Sequence, residues 1–496
     1  MMKKYLINCD VVLSTGQSIF SQSLQSRLSF RYLPALLFLL MLSSLVSAVQ
    51  LSTNDRGQVL IFPYYTVNNN LNTAYTVVNT TDQPKAIKLT FREGDAGLRV
   101  LSFDVYLSAF DVWTGIMGPT TSTFQGHVGE DSGLHASADA SCAPYLHKFS
   151  QEFLPFEIEQ DLVFSNKSMS RARHGYFEVI EMGVLTGEAA AHATHNSTGE
   201  PAACFALQAS WDDDEWDFDP LSEPTGGLQG TAFIVNVAEG LSMSYDAIAI
   251  DHFWDQQGIH SSPGSALPDL GSGSTESRVL LDDGRLAISE WDSGFQAVSA
   301  VLMHTEVINE YALDSIVAGK TEWVVTFPTK HHHVNVNNSQ NPTPFTQRWN
   351  GLQSCDEFEL GIWDREAQKD PPFTCGGVTC PPRPPAPELC YATNVLTFRL
   401  PQPGTPSSIS DILGAEKNIL MGGPSLSHAT ENGWARLTFD VGHHVLNPSS
   451  GTGYLGLPVT GFSAQQFTNA AAGEGLLAQY GNIHRHKGRV TLAGQN

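Results

Sequence analysis

Apolar and polar residues alternate with a period of two in many short stretches of the chain. Residues 87–92 have the sequence IKLTFR, and residues 101–108 have the sequence LSFDVYLS. Because successive side chains of a β-strand face opposite sides, each stretch predicts a strand with one apolar and one polar face. Gly94 and Gly97 lie between the two stretches and favour a hairpin turn. The same pattern predicts further strands at residues 75–78, 175–182, 233–237, 298–304, 323–327, 394–400 and 435–441.

Helical periodicity is scarce by comparison. Apolar residues recur at helical spacing only in modest stretches near residues 143–153, 205–211 and 463–477. Many short strands, turns rich in Gly, Pro and Asn, and few helices are together typical of β-sandwiches. The sequence therefore predicts a mainly β fold made of two β-sandwich (Ig-like) domains with long loop insertions and few short helices.

A change in composition divides the chain near its middle. Residues 261–277, SSPGSALPDLGSGSTES, are rich in Ser, Gly and Pro and show no periodicity, which indicates a linker or a long exposed loop. We therefore expect an N-terminal β-sandwich domain at 49–260 and a C-terminal one at 278–496. The second domain contains a Pro-rich insertion, 355–390, which we expect disulfides to tie down.

The amino terminus has the features of a secretory signal peptide. Residues 1–32 carry four basic residues and one acid, an apolar run of about 14 residues follows at 33–46, and small residues precede a cleavage position after Ala48. A membrane anchor is the alternative, but a spanning helix needs about 20 apolar residues. The sequence predicts a signal peptide at 1–48 and an exported mature chain, periplasmic, cell-surface or extracellular, without a membrane span.

The cysteine content agrees with export. Cys9 lies in the predicted signal peptide, and an even number of cysteines remains. In an exported protein the default expectation is disulfides, although six cysteines allow 15 pairings. The economical pairing joins Cys142 to Cys204 and places two bridges among the other four, and a zinc site built from those four is the alternative. The six cysteines are Cys142, Cys204, Cys355, Cys375, Cys380 and Cys390.

The charge balance limits the classes of partner. The chain has 27 Lys and Arg residues against 51 Asp and Glu residues, a formal net charge of −24. Nucleic acids and anionic membrane surfaces repel such a protein, so neither is expected as the main partner. A content of 41% hydrophobic and 10% aromatic residues also excludes a wholly disordered chain.

An acidic cluster is the first candidate site. Residues 211–220 have the sequence WDDDEWDFDP, with six carboxylates. Calcium takes six to eight oxygen ligands, and carboxylates at alternating positions supply them in some loops. The candidate calcium ligands are Asp212, Asp214, Asp217 and Asp219. The alternative is a solvated acidic loop, because the glycine and the final glutamate of an EF-hand loop are missing.

Histidine clusters are the second candidate. His331, His332 and His333 follow the predicted strand 323–327, and further histidines occur at 443–444 and at 484 and 486. Alternate strand residues face one side, so His331 and His333 are candidate metal ligands together with a carboxylate brought near by folding. Exposed histidines at a strand end are the alternative. Residues 451–456 fit GxGxxG, but the extended sequence after them disfavours dinucleotide binding.

Aromatic residues offer a third candidate, a platform for sugar rings or peptides. The alternative is core packing, because large aromatic side chains dominate sandwich cores. The aromatic residues concerned are Phe62, Tyr64, Tyr65, Trp113, Trp216, Trp254 and Trp291.

Several longer phrases resemble an uncharacterised family of exported, β-rich proteobacterial proteins. They are GQVLIFPYYTV at 57–67, VVNTT at 77–81, YLSAFDVWTG at 106–115, EWVVTFPTK at 322–330 and GLPVTGFSAQQF at 456–467. The resemblance implies an exported β-rich protein, and it implies no activity or catalytic residues.

Two functional hypotheses follow. The first is a non-enzymatic exported protein that acts at the cell surface or in the periplasm in structure, adhesion or ligand binding, with a surface protein or a glycan as partner. The alternative is a secreted hydrolase of extracellular carbohydrate or another polymer, with Asp282 or Asp283 paired with Glu290 across a cleft. The sequence leaves the oligomeric state open.

Overall fold

The computed structural model describes ten segments of the chain. They are residues 48–160, 166–213, 216, 221–255, 257–337, 341–367, 386–399, 409–421, 431–473 and 476–494. All of them belong to one compact unit, Ser47–Asn496. The predicted signal peptide lies outside the described residues except for Ala48, so its cleavage stays a prediction.

Strands dominate the described residues, as the alternating pattern predicts. The first twelve are β1 Gln50–Leu51, β2 Val59–Thr66, β3 Asn72–Asn79, β4 Lys85–Glu93, β5 Arg99–Leu107, β6 Val112–Thr121, β7 Asp131–Ala136, β8 Gln151–Glu152, β9 His174–Val184, β10 Leu228–Asn236, β11 Leu241–Asp246 and β12 Ile248–Asp251. The others are β13 Glu276–Leu280, β14 Leu286–Glu290, β15 Met303–His304, β16 Glu306–Ala312, β17 Lys320–Thr326, β18 Asp356–Asp364, β19 Glu388–Leu389, β20 Thr393–Phe398, β21 Asn418–Met421, β22 Asn432–Phe439, β23 Val445–Leu446, β24 Ser450–Gly451, β25 Tyr454–Leu455, β26 Leu457–Pro458, β27 Thr460–Gly473, β28 Leu476–Arg485, β29 Lys487–Arg489 and β30 Thr491–Leu492.

Helices are few and short. The described α-helices are α1 Phe156–Gln160, α2 Gly187–Ala193, α3 Cys204–Asp212, α4 Gly294–Leu302 and α5 Lys330–Val334, and 3₁₀ helices lie at Met169–Arg173 and Ser315–Val317. The prediction of a mainly β fold with few helices is confirmed. None of the helices in the described segments is long and apolar enough to cross a membrane.

The strands of the described segments form seven sheets. Two have six strands, in the orders β1-β12-β2-β9-β4-β5 and β11-β10-β3-β6-β7-β8. Two have five strands, β19-β18-β22-β16-β29 and β21-β20-β17-β27-β28, and two have three, β13-β14-β24 and β23-β25-β30. The seventh is the pair β15-β26. The architecture is a six-bladed β-propeller, so the prediction of two β-sandwich, Ig-like domains is wrong.

Burial on both faces of a sheet gives the physical reason for this correction. Strands β2, β4 and β9 are buried at every position. In a two-layer sandwich, outward-facing polar residues alternate with inward-facing ones along each strand. Strands that are buried on both faces lie between two packed layers, as a propeller blade lies between its neighbours.

The hydrophobic core also crosses the predicted boundary between the two halves. One buried cluster joins Phe62, Phe91 and Phe177 of the first sheet to Val324 and Phe462, which lie on β17 and β27. Two separate sandwiches, each with its own core, do not produce such a cluster.

The Ser/Gly/Pro-rich segment 261–277 packs on the first sheet. Lys88 Nζ donates a hydrogen bond to the Ser262 carbonyl at 3.0 Å, and Ser102 Oγ donates to the Ser265 carbonyl at 3.2 Å. Lys88 also pairs with Asp104, 3.0 Å away, and both side chains are fully buried. The predicted polar face of β4 and β5 is therefore covered by this segment.

The described residues contain two disulfides, which confirms the prediction of disulfide bonds. Cys142 bonds to Cys204, the pair that the sequence favours, and Cys355 bonds to Cys390. Cys375 and Cys380 lie outside the described residues.

Candidate functional site

A cleft of about 450 Å³ opens where the β4–β5 hairpin, segment 261–277 and helix α5 meet. We call it the histidine cleft. Arg92 and Arg99 come from β4 and β5, Glu157 from α1, Ala266 and Asp269 from segment 261–277, Phe295 from α4, and His331, His332, Asn335 and Asn337 from α5 and the residues after it.

The floor of the cleft is the polar face of the first sheet. Arg92 Nε and Nη2 donate to Glu178 Oε1 at 3.1 and 3.0 Å, and Arg92 Nη1 donates to the Gly97 carbonyl at 3.2 Å. Gly97 has a φ of +78°, and a Cβ there would lie 3.2 Å from the His331 Cβ. Both the left-handed backbone conformation and the close contact therefore disfavour a side chain at this position. The buried guanidinium is thus held in one position by a carboxylate and a backbone carbonyl.

Glu178 keeps one oxygen without a partner. Its side chain is fully buried, and Oε2 has no hydrogen-bond partner within the described segments. Burial raises the pKa of Glu178 to about 6, and Arg92 opposes this shift only in part. The structure therefore places an unsatisfied acceptor beside the floor of the cleft.

The rim is formed by a second ion pair. Arg99 Nε donates to Glu157 Oε1 at 2.8 Å, and the Arg99 backbone N–H donates to Glu157 Oε2 at 2.8 Å. Arg99 Nη1 also donates to the Gly264 carbonyl. This arrangement ties helix α1 and segment 261–277 to the edge of β5.

Helix α5 is anchored through its first residue. Lys330 Nζ is buried and donates to the carbonyls of Ser354 and Leu389 at 2.6 and 3.3 Å and to Asp356 Oδ2 at 3.3 Å. The Cys355–Cys390 disulfide joins the two segments that supply these acceptors. The start of the helix that carries the histidines is therefore fixed by a cross-linked set of acceptors.

His331 presents a lone pair that no described group uses. Its Nδ1 lies 3.1 Å from the Tyr176 hydroxyl, and that hydroxyl donates its proton to the Pro328 carbonyl at 2.9 Å. We infer from this network that Nδ1 carries the imidazole proton and that Nε2 is an acceptor. Nε2 is buried and lacks a hydrogen-bond partner in the described part of the chain. Burial, followed by the neighbouring His332, lowers the pKa of His331 well below its usual value, so the ring is neutral.

His332 and His333 have different surroundings. The His332 ring stacks on Phe295 with centroids 5.0 Å apart, and its Nε2 lies 3.8 Å from Asp269 Oδ2. Burial lowers the pKa of His332 to about 4. His333 Nε2 is instead hydrogen-bonded to Ser299 Oγ at 2.8 Å in the interior. The expectation of exposed strand-end histidines is thus wrong, since the three residues lie in a helix and are largely buried.

The predicted pairing of His331 with His333 at a metal site does not form. His333 Nε2 is held by Ser299 Oγ, which also hydrogen-bonds to Thr329 Oγ1 at 2.8 Å. His332 lines the cleft beside His331, with ring centroids 3.9 Å apart. The helical turn, rather than strand alternation, decides which histidines share a side.

The other histidines named from the sequence lie elsewhere. His443 is exposed and lies 2.7 Å from Asp440, whereas His444 Nδ1 is buried against the Pro344 carbonyl at 2.9 Å. His484 is exposed on β28, and His486 Nε2 lies 2.9 Å from the Val324 carbonyl. These rings belong to separate environments.

The predicted calcium loop lies largely outside the described residues. Asp212 ends helix α3 and accepts a hydrogen bond from the Tyr145 hydroxyl at 2.5 Å. Asp214, Asp217 and Asp219 are not described. Calcium binding at this loop stays a prediction.

The carboxylates of the hydrolase hypothesis lie on an exposed hairpin. Asp282 and Asp283 occupy the turn between β13 and β14, and Glu290 ends β14. Asp283 Oδ2 pairs with Arg285 Nε at 2.7 Å. This hairpin does not contribute to the lining of the histidine cleft.

The aromatic residues proposed as a platform lie in the core. Phe62, Tyr64, Tyr65 and Trp113 are fully buried. Trp216, Trp254 and Trp291 are 9%, 5% and 4% exposed. Core packing, the alternative interpretation, therefore describes these side chains.

The zinc alternative loses two of its ligands. Cys355, Glu388 and Cys390 bring three donor atoms within 4.8 Å of one another, but both sulfurs belong to the disulfide. Zinc binds thiolates, which a disulfide does not provide.

Sequence reasoning missed most of the cleft. Alternation predicts that Arg92 lies on the polar face of a strand, and composition predicts that Asp269 lies in a linker or a long exposed loop, and neither pattern brings the two residues together. Tyr176 and Glu178 lie in the predicted strand 175–182, and alternation is the sequence feature that places them on one of its faces. Alternation does not show whether a second layer covers that face.

Comparisons with known proteins add no relative. No family model matches the chain, and neither a curated protein nor a solved structure is significantly similar to it. The resemblance to an uncharacterised exported family stays a prediction.

Proposed function

We propose that this chain is an exported, non-enzymatic ligand-binding protein and that the histidine cleft is its ligand site. One observation carries the proposal: His331 lines a cleft of about 450 Å³, and its buried Nε2 has no hydrogen-bond partner among the described residues. Buried polar atoms are almost always hydrogen-bonded, and an unsatisfied one calls for an explanation such as a ligand. Small-molecule sites have volumes of about 300–1,000 Å³.

The rigidity of the surrounding residues supports binding. Tyr176 fixes the His331 ring, Phe295 stacks on His332, and ion pairs hold Arg92 and Arg99. A site whose side chains are already ordered loses less conformational entropy when a ligand binds. These contacts favour a preformed site.

The composition of the lining favours binding over hydrolysis. Of the described lining residues, none is a Ser, Thr or Cys that could act as a nucleophile. The Glu157 carboxylate is held by Arg99. A glycosidase needs two carboxyl groups that face each other across the substrate, and Asp282, Asp283 and Glu290 lie on the exposed hairpin instead.

Export is supported by two features. The two disulfides indicate an oxidising compartment. The predicted signal peptide at 1–48 points the same way. We place the protein at the cell surface or in the periplasm.

The test is to fill the cleft. A small-molecule library is first screened against the wild-type protein by ligand-observed NMR. Ala266→Trp then places an indole in the lining of the cleft, and we expect this variant to bind none of the compounds that the screen identifies. Val237→Trp is the matched control, because Val237 is 82% exposed outside the cleft. Compounds that bind both variants equally, or a screen without any hit, would contradict a ligand site here.

A further inference from the structure

Two guanidinium groups and two carboxylates line the histidine cleft, and the buried Glu178 beside Arg92 adds a third carboxylate, so the carboxylates outnumber the cations by one. Arg92 pairs with Glu178 at 3.0 Å, and Arg99 pairs with Glu157 at 2.8 Å. Asp269 lines the cleft, but among the described residues no Lys or Arg lies within ion-pair distance of it. The histidine nearest to Asp269 Oδ2, His332 at 3.8 Å, is neutral at physiological pH. One carboxylate of the cleft is therefore left without a cation.

We infer that the ligand of the histidine cleft carries an ammonium group, which pairs with the Asp269 carboxylate and donates a hydrogen bond to His331 Nε2. This inference rests on the proposed function, since it names the chemistry of a ligand at the same site. An ammonium supplies three donors and a positive charge, whereas the cleft supplies a free acceptor and an uncompensated negative charge.

The unsatisfied atoms disfavour an anionic ligand. Both His331 Nε2 and Glu178 Oε2 are buried acceptors without a described partner. A carboxylate brings only acceptors, and beside His331 Nε2 it would place one lone pair against another without a proton between them. Lining guanidinium groups usually favour anions, but those of Arg92 and Arg99 already donate to Glu178, Glu157 and backbone carbonyls.

A neutral ligand with a hydroxyl group supplies a hydrogen-bond donor but no positive charge. A hydroxyl can donate to His331 Nε2, but it leaves the charge of Asp269 uncompensated. A charge-assisted hydrogen bond is also stronger than a neutral one. An ammonium group both donates a hydrogen bond to His331 Nε2 and compensates the charge of Asp269.

A preformed metal site does not fit the spacing. The donor atoms of His331, His332 and Asp269 do not lie within 4.8 Å of one another as a set of three. A metal ion would require these side chains to rotate toward each other, although Phe295 stacks on His332 and Tyr176 holds His331. Acceptors that are spread over the cleft fit an organic ligand better.

The experiment compares three four-carbon probes on the full mature chain with its disulfides intact. Putrescine carries two ammonium groups, butane-1,4-diol two hydroxyls and succinate two carboxylates. Isothermal titration calorimetry measures their affinities. We expect putrescine to bind at least about tenfold more tightly than the diol, with succinate weakest. Zn²⁺ is titrated separately.

Two variants locate the binding. Asp269→Asn should weaken putrescine about 30-fold or more, because it removes one partner of a charge pair, and His331→Phe should weaken it as well. Asp283→Asn is the matched control, since Asp283 lies on the exposed β13–β14 hairpin, and its affinity should equal that of the wild type. A circular dichroism spectrum establishes that each variant is folded.

Each other outcome overturns the inference. Equal or tighter binding of the diol would identify a neutral ligand, and tighter binding of succinate an anionic one. Zn²⁺ binding that His331→Phe removes, with no putrescine binding, would identify a metal site. Putrescine binding that survives Asp269→Asn would lie elsewhere. If none of the three probes binds, the ammonium ligand is refuted, whereas the library screen with Ala266→Trp decides separately whether the cleft binds ligands.

Discussion

Burial sets the protonation of the histidines inside this protein. It lowers the pKa of His135, His260 and His333 to about 3, and in each case burial is the largest cause. An imidazolium in a low-dielectric interior loses its hydration without gaining an equivalent partner. These rings are therefore neutral hydrogen-bonding groups, as the Tyr75 hydroxyl beside His135 Nε2, 2.8 Å away, illustrates.

This neutrality predicts acid lability. In the unfolded chain the same imidazoles titrate near pH 6.5. Between about pH 6.5 and pH 3 the unfolded state binds protons that the folded state does not, so stability falls as pH falls. His135→Gln keeps an acceptor for Tyr75 but does not titrate. We expect it to reduce the slope of unfolding free energy against pH, between pH 4 and 6, by about 1.4 kcal/mol per pH unit. Urea titrations at several pH values measure this slope, and equal slopes for both proteins would contradict the assignment.

At the scale of the element, local pattern predicted strands better than helices. The alternation at 87–92 and 101–108 lies in β4 and β5. The predicted strand 298–304 lies mostly in helix α4, because periodicity does not distinguish a short, mainly apolar stretch of a buried helix from a buried strand. The predicted helix 463–477 lies in β27 and β28. Helix α3 matches the predicted helix 205–211.

The position of helix α5 depends on the Cys355–Cys390 disulfide. Replacing both cysteines with Ser frees the Ser354 and Leu389 carbonyls that hold Lys330. We expect a loss of about 2–4 kcal/mol of stability and weaker putrescine binding, because His331 follows Lys330 directly. Replacing Cys142 and Cys204 is the matched control, expected to cost similar stability without changing putrescine affinity. Chemical denaturation and calorimetry measure the two effects, and equal affinities in both double variants would refute the link.

At the scale of the whole molecule, one core serves both halves of the chain. One buried cluster contains Phe62 and Phe91, which precede segment 261–277 in the sequence, and Val324 and Phe462, which follow it. The same segment covers the polar face of β4 and β5 through Ser262 and Ser265. Residues that are distant in sequence therefore depend on each other for burial.

This shared core predicts cooperative unfolding. We expect the mature chain to unfold in one transition, with near-UV and far-UV circular dichroism midpoints that coincide. We also expect fragments 49–260 and 278–496, expressed separately, to lack native tertiary signal, since each would expose part of the common core. Two separated transitions, or a folded isolated fragment, would show that the halves are independent.

The sequence by itself determined the mainly β composition, the positions of strands such as β4 and β5, and the pairing of Cys142 with Cys204 as the economical choice. Strand alternation is a local property, since it depends on neighbours one and two positions away. Only the tertiary structure decided the propeller arrangement, the burial of Arg92 and Glu178 although they are charged residues of strands, and the presence of Asp269, His331 and His332 in one cleft. These features depend on which sheets stack on one another, and that choice is made by contacts between residues far apart in the chain.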